Sequence, residues 1–334
     1  MNAPDTAEIS LVKVLMVTAP LPTASRPGTW AAVARQIDSI RSLGIEVDLL
    51  EIDGARGIKY LQALTHLNER SSDVDVIHAH YGYCGWVARL QRRKPVVVSF
   101  MGSDLLGVAN ASGRITASSR LIVEIDRRVA RFVDAVIVKS RQMAEVLDPV
   151  VAHVIPNGVD LEAFQPIDRA TARGTLGWQE GKARVLFPGN PALPNKGFPL
   201  AQAAMSVAAS ALGDPVEIIP LTGIDPGQVP LYLNAADAML LASYTEGSPN
   251  AVKEAMACNL PVIAVPVGDV PELLTGVESC AVCPRDPQIL GSELARVLQA
   301  ASRSNGRETI KARGLDLASV ARRVAEVYDD VIQR

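Results

Sequence analysis

Much of what this chain can be is settled by what it lacks. Four cysteines in 334 residues cannot build the disulfide framework of a small secreted domain. They suit a protein kept in a reducing cytosol. No apolar run reaches the roughly 18 residues of a membrane span. The opening MNAPDTAEIS lacks the basic start and apolar core of a secretory signal. A basic excess is also missing: 33 Lys+Arg stand against 36 Asp+Glu, a net charge of −3. A nucleic-acid binder needs cations to displace counterions, so no nucleic-acid partner is expected. Two glycines are nowhere separated by a single residue, which removes the Gly-x-Gly-x-x-Gly fingerprint of NAD-binding units. The pair Gly181-Lys182 has no upstream glycine to make a Walker A loop, and neither H-E-x-x-H nor G-x-S-x-G occurs. Dehydrogenase, P-loop, zincin and serine-hydrolase chemistries are disfavoured together.

What is present is an ordinary globular composition, 48% hydrophobic and 21% charged, with enough apolar surface to offset the entropy of ordering. The length suits about two domains at roughly 150 residues each. Short apolar runs at 11–18, 45–52, 74–79, 96–100, 135–139 and 153–155 read as strands. Helical spacing fills 29–43, 57–70 and 114–132 between them. A polar, turn-rich pause follows at about 157–182. Strands then resume at 184–188, 216–220, 238–242, 262–265 and 281–283, with helices at 198–211, 229–235, 249–258, 269–274, 287–302 and 317–332. Strand–helix alternation implies parallel sheets covered on both faces. The expected fold class is therefore α/β, as two Rossmann-like domains facing across a cleft, divided near residue 165. Ligands in such folds sit beyond the carboxyl ends of the strands.

Two patterns invite over-reading. Asp73-Val-Asp75 has the form of a metal-binding D-x-D but opens an apolar strand, where a structural turn is the plainer role. Cys280 and Cys283 have half a zinc-site spacing, without the further ligands a site requires.

The segment from Tyr244 to Asp269 carries the chemistry. Ser248 is a good N-cap and Pro249 suits the first helical position. The N–H groups of residues 248–251 then point out of the helix start, an anion site. The helix dipole adds about 0.3–1 kcal/mol to that attraction. Glu246 precedes this nest, and Glu254 follows eight residues later. Carboxylates beside a phosphate repel it unless they face hydroxyls, which sugars and ribose supply. The alternative is a capped helix with two solvated glutamates.

This segment resembles the E-x7-E region of retaining family-four glycosyltransferases of the GT-B fold. Other stretches resemble that family in the same order: Asp75-Val-Ile-His-Ala-His80, Lys139-Ser-Arg141 with Met143, Val154-Ile-Pro-Asn-Gly-Val-Asp-Leu-Glu-Ala-Phe164, Val185-Leu-Phe-Pro-Gly189 through Lys196-Gly197, Asn234-Ala-Ala-Asp237, and Glu254-Ala-Met-Ala257 with Pro261-Val262. Within the family, the wording is most similar to bacterial polysaccharide transferases of the teichuronic-acid type. The resemblance implies an acceptor domain at 1–165, a nucleotide-sugar domain at 166–316, and a helix at 317–334 that crosses back onto the first domain.

It also implies roles. Glu246 would accept hydrogen bonds from the donor sugar, and Glu254 would hold the ribose. Gly247, Ser248, Pro249, Asn250 and Ala251 would form the loop and helix start against sugar and diphosphate. Lys196 would bind the diphosphate as a point charge. Gly189 would let the backbone approach the donor, with Asn190 beside it, and Leu221 and Thr222 would meet the base. The turn Arg26-Pro-Gly28-Thr29 stands where relatives have a Gly-Gly loop, placing Gly28 near the diphosphate. Two positions depart from the pattern. Asn190 replaces a frequent Arg, and Met101 replaces a His that touches the donor sugar. That second role falls to Asp104 or His80, or to neither.

The implied activity is retaining transfer of a hexosyl-type sugar from a nucleotide-diphosphate donor, a UDP-sugar favoured, to a hydroxyl of a sugar or lipid-linked acceptor, without metal or cofactor. The alternative is a non-catalytic subunit that binds a nucleotide sugar. The implied location is the cytoplasm. Two basic stretches, 89–94 and 114–141, are either solvated helix faces or a surface resting on anionic lipid at the inner face of the membrane.

Overall fold

The computed structural model describes residues 12–23, 30–54, 58–179 and 181–334. Its first half is a six-stranded sheet of β1 (Lys13–Thr18), β2 (Glu46–Glu51), β3 (Val76–His80), β4 (Val96–Ser99), β5 (Ala135–Val138) and β6 (His153–Val154), in spatial order β2-β1-β3-β4-β5-β6. The second half is a five-stranded sheet of β7 (Ala183–Phe187), β8 (Val216–Pro220), β9 (Ala238–Leu241), β10 (Val262–Ala264) and β11 (Ala281–Val282), in order β11-β10-β9-β7-β8. Every strand pair is parallel. Two parallel-sheet α/β units are thus present, as the strand–helix alternation implies.

The central strands are apolar throughout because both their faces are covered. In β1, Leu15 and Val17 join one buried cluster, while Val14 and Met16 join the cluster on the opposite face. In β9, Met239 and Leu241 pack on one side and Ala238 and Leu240 on the other. This is the two-residue period of a strand sandwiched between helix layers.

The helix Leu317–Ile332 is capped by Asp316, whose carboxylate accepts from the Ser319 N–H at 2.9 Å. Its apolar face, Val320, Val324, Val327, Tyr328 and Val331, packs on the first-half sheet with Val14, Met16 and Ile137. The Tyr328 hydroxyl lies 2.7 Å from His78 Nδ1, and His78 Nε2 lies 2.8 Å from Ser99 Oγ. The last helix of the chain is therefore one cover of the first sheet.

Two expectations need correction. The pause at 157–182 contains the helix Arg169–Leu176. Asp168 caps its start by accepting from the Thr171 N–H at 2.9 Å, and Gly177 ends it at φ 66°. This helix is polar by composition because its buried anchor is an arginine: Arg173 Nη2 reaches Asp237 Oδ2 at 2.8 Å and Nε donates to the Ala235 carbonyl at 2.9 Å. A short helix, Gly82–Arg89, also follows β3 where none was expected. The two over-read patterns are structural as far as their contacts go. Asp75 accepts from the Lys13 N–H at 2.8 Å, and Cys280 Sγ accepts from the Val262 N–H at 3.2 Å.

Candidate active site

Between the carboxyl ends of the two sheets lies a cavity of about 1020 Å³. That is at the upper end of the roughly 300–1,000 Å³ usual for ligand pockets. One wall comes from the first-half helix Ala31–Arg41, through Trp30, Val33 and Arg35, with Met101 beside it. The other comes from the second half: Pro188, Lys196, Leu221, Thr222 and the run from Glu246 to Ala251 with Glu254.

Lys196 is placed by its neighbours. Gly197 takes φ 70°, and a Cβ there would sit 2.1 Å from the Ala242 carbonyl oxygen, so no side chain fits. The chain turns tightly at this point, and Lys196 runs back over Gly189, whose missing Cβ would come within 3.1 Å of the lysine stem. Gly189 thus makes room for the Lys196 stem and is itself off the cavity wall. The ammonium ends 2.7 Å from Glu246 Oε1. Both partners are part-buried, with side-chain exposures of 23% and 17%.

The helix Asn250–Ala257 begins at the cavity. Ser248 does not cap it: Pro249 occupies the N-cap position, and no side chain bonds the helix start. The Ser248 hydroxyl instead accepts from Lys253 Nζ at 2.9 Å, and the same ammonium donates to the Asn157 carbonyl at 2.8 Å. Asn157 Nδ2 in turn donates to Asn250 Oδ1 at 3.4 Å. Lys253 therefore clamps the segment joining the two halves to the loop before the helix. Burial lowers its pKa to about 8, opposed by Asp269 and Glu254. The Val252 N–H turns back to the Pro249 carbonyl at 3.2 Å, while Asn250 and Ala251, whose N–H groups precede the first intrahelical bonds, line the cavity. With Lys196 they give this wall a positive potential.

Glu254 is also on the wall, with its Oε1 2.8 Å from Arg35 Nη2 of the opposite half. Burial raises its pKa, opposed chiefly by Arg35.

Several expected site residues lie elsewhere. His80 is completely buried, off the cavity wall, stacked 4.3 Å from His78 and 3.4 Å from Gln36 Oε1. Burial, then the Lys139 charge, lower its pKa to about 3, so it is a neutral core histidine. Asp104 is completely buried too. Its carboxylate folds back to accept from the N–H groups of Met101 (3.0 Å) and Gly102 (2.8 Å). Asp104 therefore shapes the loop that presents Met101 and does not itself reach the cavity. Burial, outweighing those N–H donors, raises its pKa to about 6. Asn190 closes a local turn by accepting from the Ala192 N–H at 2.9 Å, and is likewise off the wall. Gly28 lies outside the described residues.

A second cavity of about 220 Å³ shares Met101, Glu246 and Gly247 with the first. Ser103, Asn195 and Thr245 add polar groups, and Leu106 and Val108 apolar ones. Glu246 stands at the partition between the two spaces.

Arg35 and Asn157 line the cavity, and Lys253 braces its wall from behind, though none of the three was expected there. Lys253 carried a signal: it falls on the face shared by Val252, Ala255 and Met256, where a lysine must have a buried partner. Arg35 carried none, being one arginine on an amphipathic helix.

Two facing parallel sheets, a cavity between them, and a helix start flanked by Glu246 and Glu254 define an architecture of the GT-B type. Comparison with known proteins agrees. The family model "Glycosyltransferase Family 4" matches residues 14–163, and "Glycosyl transferases group 1" matches residues 181–300. The chain is similar to a D-inositol 3-phosphate glycosyltransferase of Geodermatophilus obscurus, 27% identical over 274 residues, covering 67% of this chain and 59% of that protein. It thus spans less than two thirds of that relative. It is also 25% identical to a protein of Bacillus subtilis named for teichuronic acid biosynthesis, the glycosyltransferase TuaC, covering 85% of this chain and 89% of that one. Among solved structures it resembles a sucrose-phosphate synthase from Thermosynechococcus elongatus (TM-score 0.78, 19% identity, 96% and 99% coverage). Anabaena HepE in complex with UDP and glucose is also similar (TM-score 0.69, 17% identity, 95% and 99% coverage). These structural likenesses speak for the fold. The chain belongs to the family-four glycosyltransferases of the GT-B fold.

Proposed function

We propose that the chain is a retaining glycosyltransferase that moves a hexosyl-type sugar from a nucleotide-diphosphate donor, UDP-linked, to an acceptor hydroxyl in the synthesis of a bacterial surface polysaccharide or glycoconjugate. The observation that carries this reading is Lys196 and Glu246 paired at 2.7 Å beside a helix start on one cavity wall. That wall joins fixed positive groups, suited to a diphosphate, to a carboxylate suited to sugar hydroxyls. The similarity to HepE, solved with UDP and glucose, favours the uridine donor. The similarity to TuaC favours the polysaccharide role.

In the reaction, the acceptor hydroxyl enters from the smaller cavity and attacks the anomeric carbon on the face that the diphosphate leaves. The bond from that carbon to the phosphate oxygen breaks as the new carbon–oxygen bond forms. The acceptor proton passes to the departing diphosphate oxygen. Negative charge grows on the leaving group, and preorganised donors aimed at it lower the barrier. Lys196 and the helix start supply them, so the chemistry needs no metal. Glu246 orients the sugar. Closure of the two halves would exclude water from the reacting centre.

The test is NMR of the product formed from a UDP-hexose and a glycoside acceptor. Retention of the donor's anomeric configuration, with UDP released only when acceptor is present, is expected. Inversion would overturn the mechanism. Tight UDP binding without transfer to any acceptor would favour the non-catalytic subunit.

The reading includes contact with an anionic membrane. On the helix Ala117–Val129, Leu121, Ile122 and Ile125 are exposed, and so are Phe132 just beyond it and Leu90, whose neighbour Arg89 donates to the Phe132 carbonyl. Arg120, Arg127, Arg128 and Arg131 accompany them. Exposed apolar groups among cations fit a headgroup boundary. No helix among the described residues is long and apolar enough to cross a membrane. Sedimentation with phosphatidylglycerol vesicles should fall with salt and with Leu121→Ser/Ile125→Ser; equal binding by neutral vesicles would refute the contact.

A further inference from the structure

The charges on the cavity wall do not simply await a diphosphate. Its described lining holds two cations, Arg35 and Lys196, and three acids, Asp225, Glu246 and Glu254. Each cation is already bonded to a glutamate: Lys196 to Glu246 at 2.7 Å and Arg35 to Glu254 at 2.8 Å. These are the two glutamates that, on the reading above, accept the hydroxyls of the donor sugar and ribose. A donor therefore competes with both cations for the same carboxylate oxygens, and it brings phosphates that the freed cations can bind.

We propose that Arg35 is a donor-binding residue that exchanges partners: the ribose hydroxyls replace it on Glu254 Oε1, and its guanidinium turns onto the diphosphate as the second cation beside Lys196. This inference rests on the glycosyltransferase reading and adds a residue to it. Three features of Arg35 support it. Only Nη2 bonds Glu254, and Nε is buried with no hydrogen-bond partner among the described residues, so the guanidinium has donors to spare. Its planar fork fits a phosphate oxygen pair as well as a carboxylate. The group also rides over the Phe164 ring, 5.8 Å from the centroid, and an aromatic face tolerates a pivoting cation better than a rigid hydrogen-bond cage would. Arg35 lies one turn into the helix Ala31–Arg41, whose beginning also lines the cavity, so a short swing keeps it on the wall. Because Arg35 and Glu254 belong to opposite halves, the exchange replaces a direct bond between the halves by one made through the donor.

The test compares UDP with uridine by calorimetry on the full chain, in wild type, Arg35→Gln, Arg35→Lys and Glu254→Gln. If Arg35 meets the phosphates, Arg35→Gln weakens UDP by at least about tenfold, the scale of a lost charge-assisted bond. Uridine affinity should hold or rise, because Glu254 is freed. Arg35→Lys should restore part of the loss. Glu254→Gln should weaken both ligands together and leave their ratio near that of wild type. An unchanged UDP-to-uridine ratio in Arg35→Gln, with wild type binding UDP, overturns the exchange alone. Wild type binding none of UDP, ADP, GDP or CDP overturns the donor reading and the exchange with it. Circular dichroism of each variant shows whether a loss reflects misfolding.

Discussion

Two carboxylates on the two lips of the cleft show how burial sorts one residue type into two trades. Asp104 belongs to the first half and Glu246 to the second, and their loops touch: a Cβ on Gly102 would come within 3.3 Å of the Gly247 nitrogen. Asp104 is fully buried and bonded to its own loop's N–H groups. Glu246 keeps 17% of its side chain exposed and is held by one lysine. A group satisfied by backbone it cannot leave is a strut. A group satisfied by a side chain that can be exchanged for a ligand is a binding site. The same contrast separates His80, buried and neutral, from Arg35, which keeps unused donors.

Truncating each carboxylate to alanine breaks the comparison open. Glu246→Ala should lower turnover by about 10²–10³, the scale of removing one oriented transition-state contact. Its melting temperature should stay near wild type, because its one charge-assisted bond is part-exposed. Asp104→Ala should do the reverse. It leaves two N–H groups of a buried loop without an acceptor, at a cost of about 1–3 kcal/mol each in stability. Its effect on turnover should follow from the loosened presentation of Met101 and shrink at low temperature, where the loop refolds. Denaturant melts and steady-state assays of both variants decide the matter. If Asp104→Ala abolishes turnover with an intact fold, Asp104 reaches the substrate and the contrast is wrong.

This contrast also sets how far the sequence could be read. Alternation of apolar runs and helical spacing sufficed for the two parallel sheets, because strands such as Val14–Val17 must bury both faces and are apolar for that reason. Glu246, Ser248, Asn250 and Glu254 were legible as cavity residues because a turn and helix start fixes them within one short segment. Residue spacing cannot say which way a side chain points once the chain leaves that segment. Asp104 and His80 sit in the right loop and strand end but turn inward, and Asn190 turns onto its own loop. Ser248 shows the same limit within the segment: it has the chemistry of a cap, yet Lys253 claims its hydroxyl. Arg35 was illegible because its role depends on a helix of one half meeting a helix 219 residues further along the chain. The helix Arg169–Leu176 was missed because its anchor is a buried ion pair rather than an apolar stripe.

Lys139 sharpens the comparison from the side of stability. It lies in the first half, 1% exposed, and its Nζ has no hydrogen-bond partner among the described residues. Lys253, its counterpart in the second half, is equally buried but donates to Asn157 and Ser248. Burial lowers the Lys139 pKa to about 7, with the Lys253 charge adding to the effect and Asp104 opposing it. An amine whose folded pKa lies below its unfolded value of 10.5 binds fewer protons folded than unfolded between pH 7 and 10.5. Stability contributed by that difference is present above the unfolded pKa and is lost as the pH falls through the folded one. Lys139→Met, apolar and of similar length, should therefore stabilise the chain most near pH 7, by about 1–3 kcal/mol, the scale of relieving an unpaired buried polar group. The gain should shrink steadily toward pH 9.5. Lys253→Met should destabilise at both pH values, because it strips partners from Asn157 and Ser248. Urea melts of the two variants at pH 7 and 9.5 measure this directly. A Lys139→Met variant no more stable than wild type at pH 7 would mean that its ammonium is well solvated or paired, and the two buried lysines would then not differ as the contrast requires.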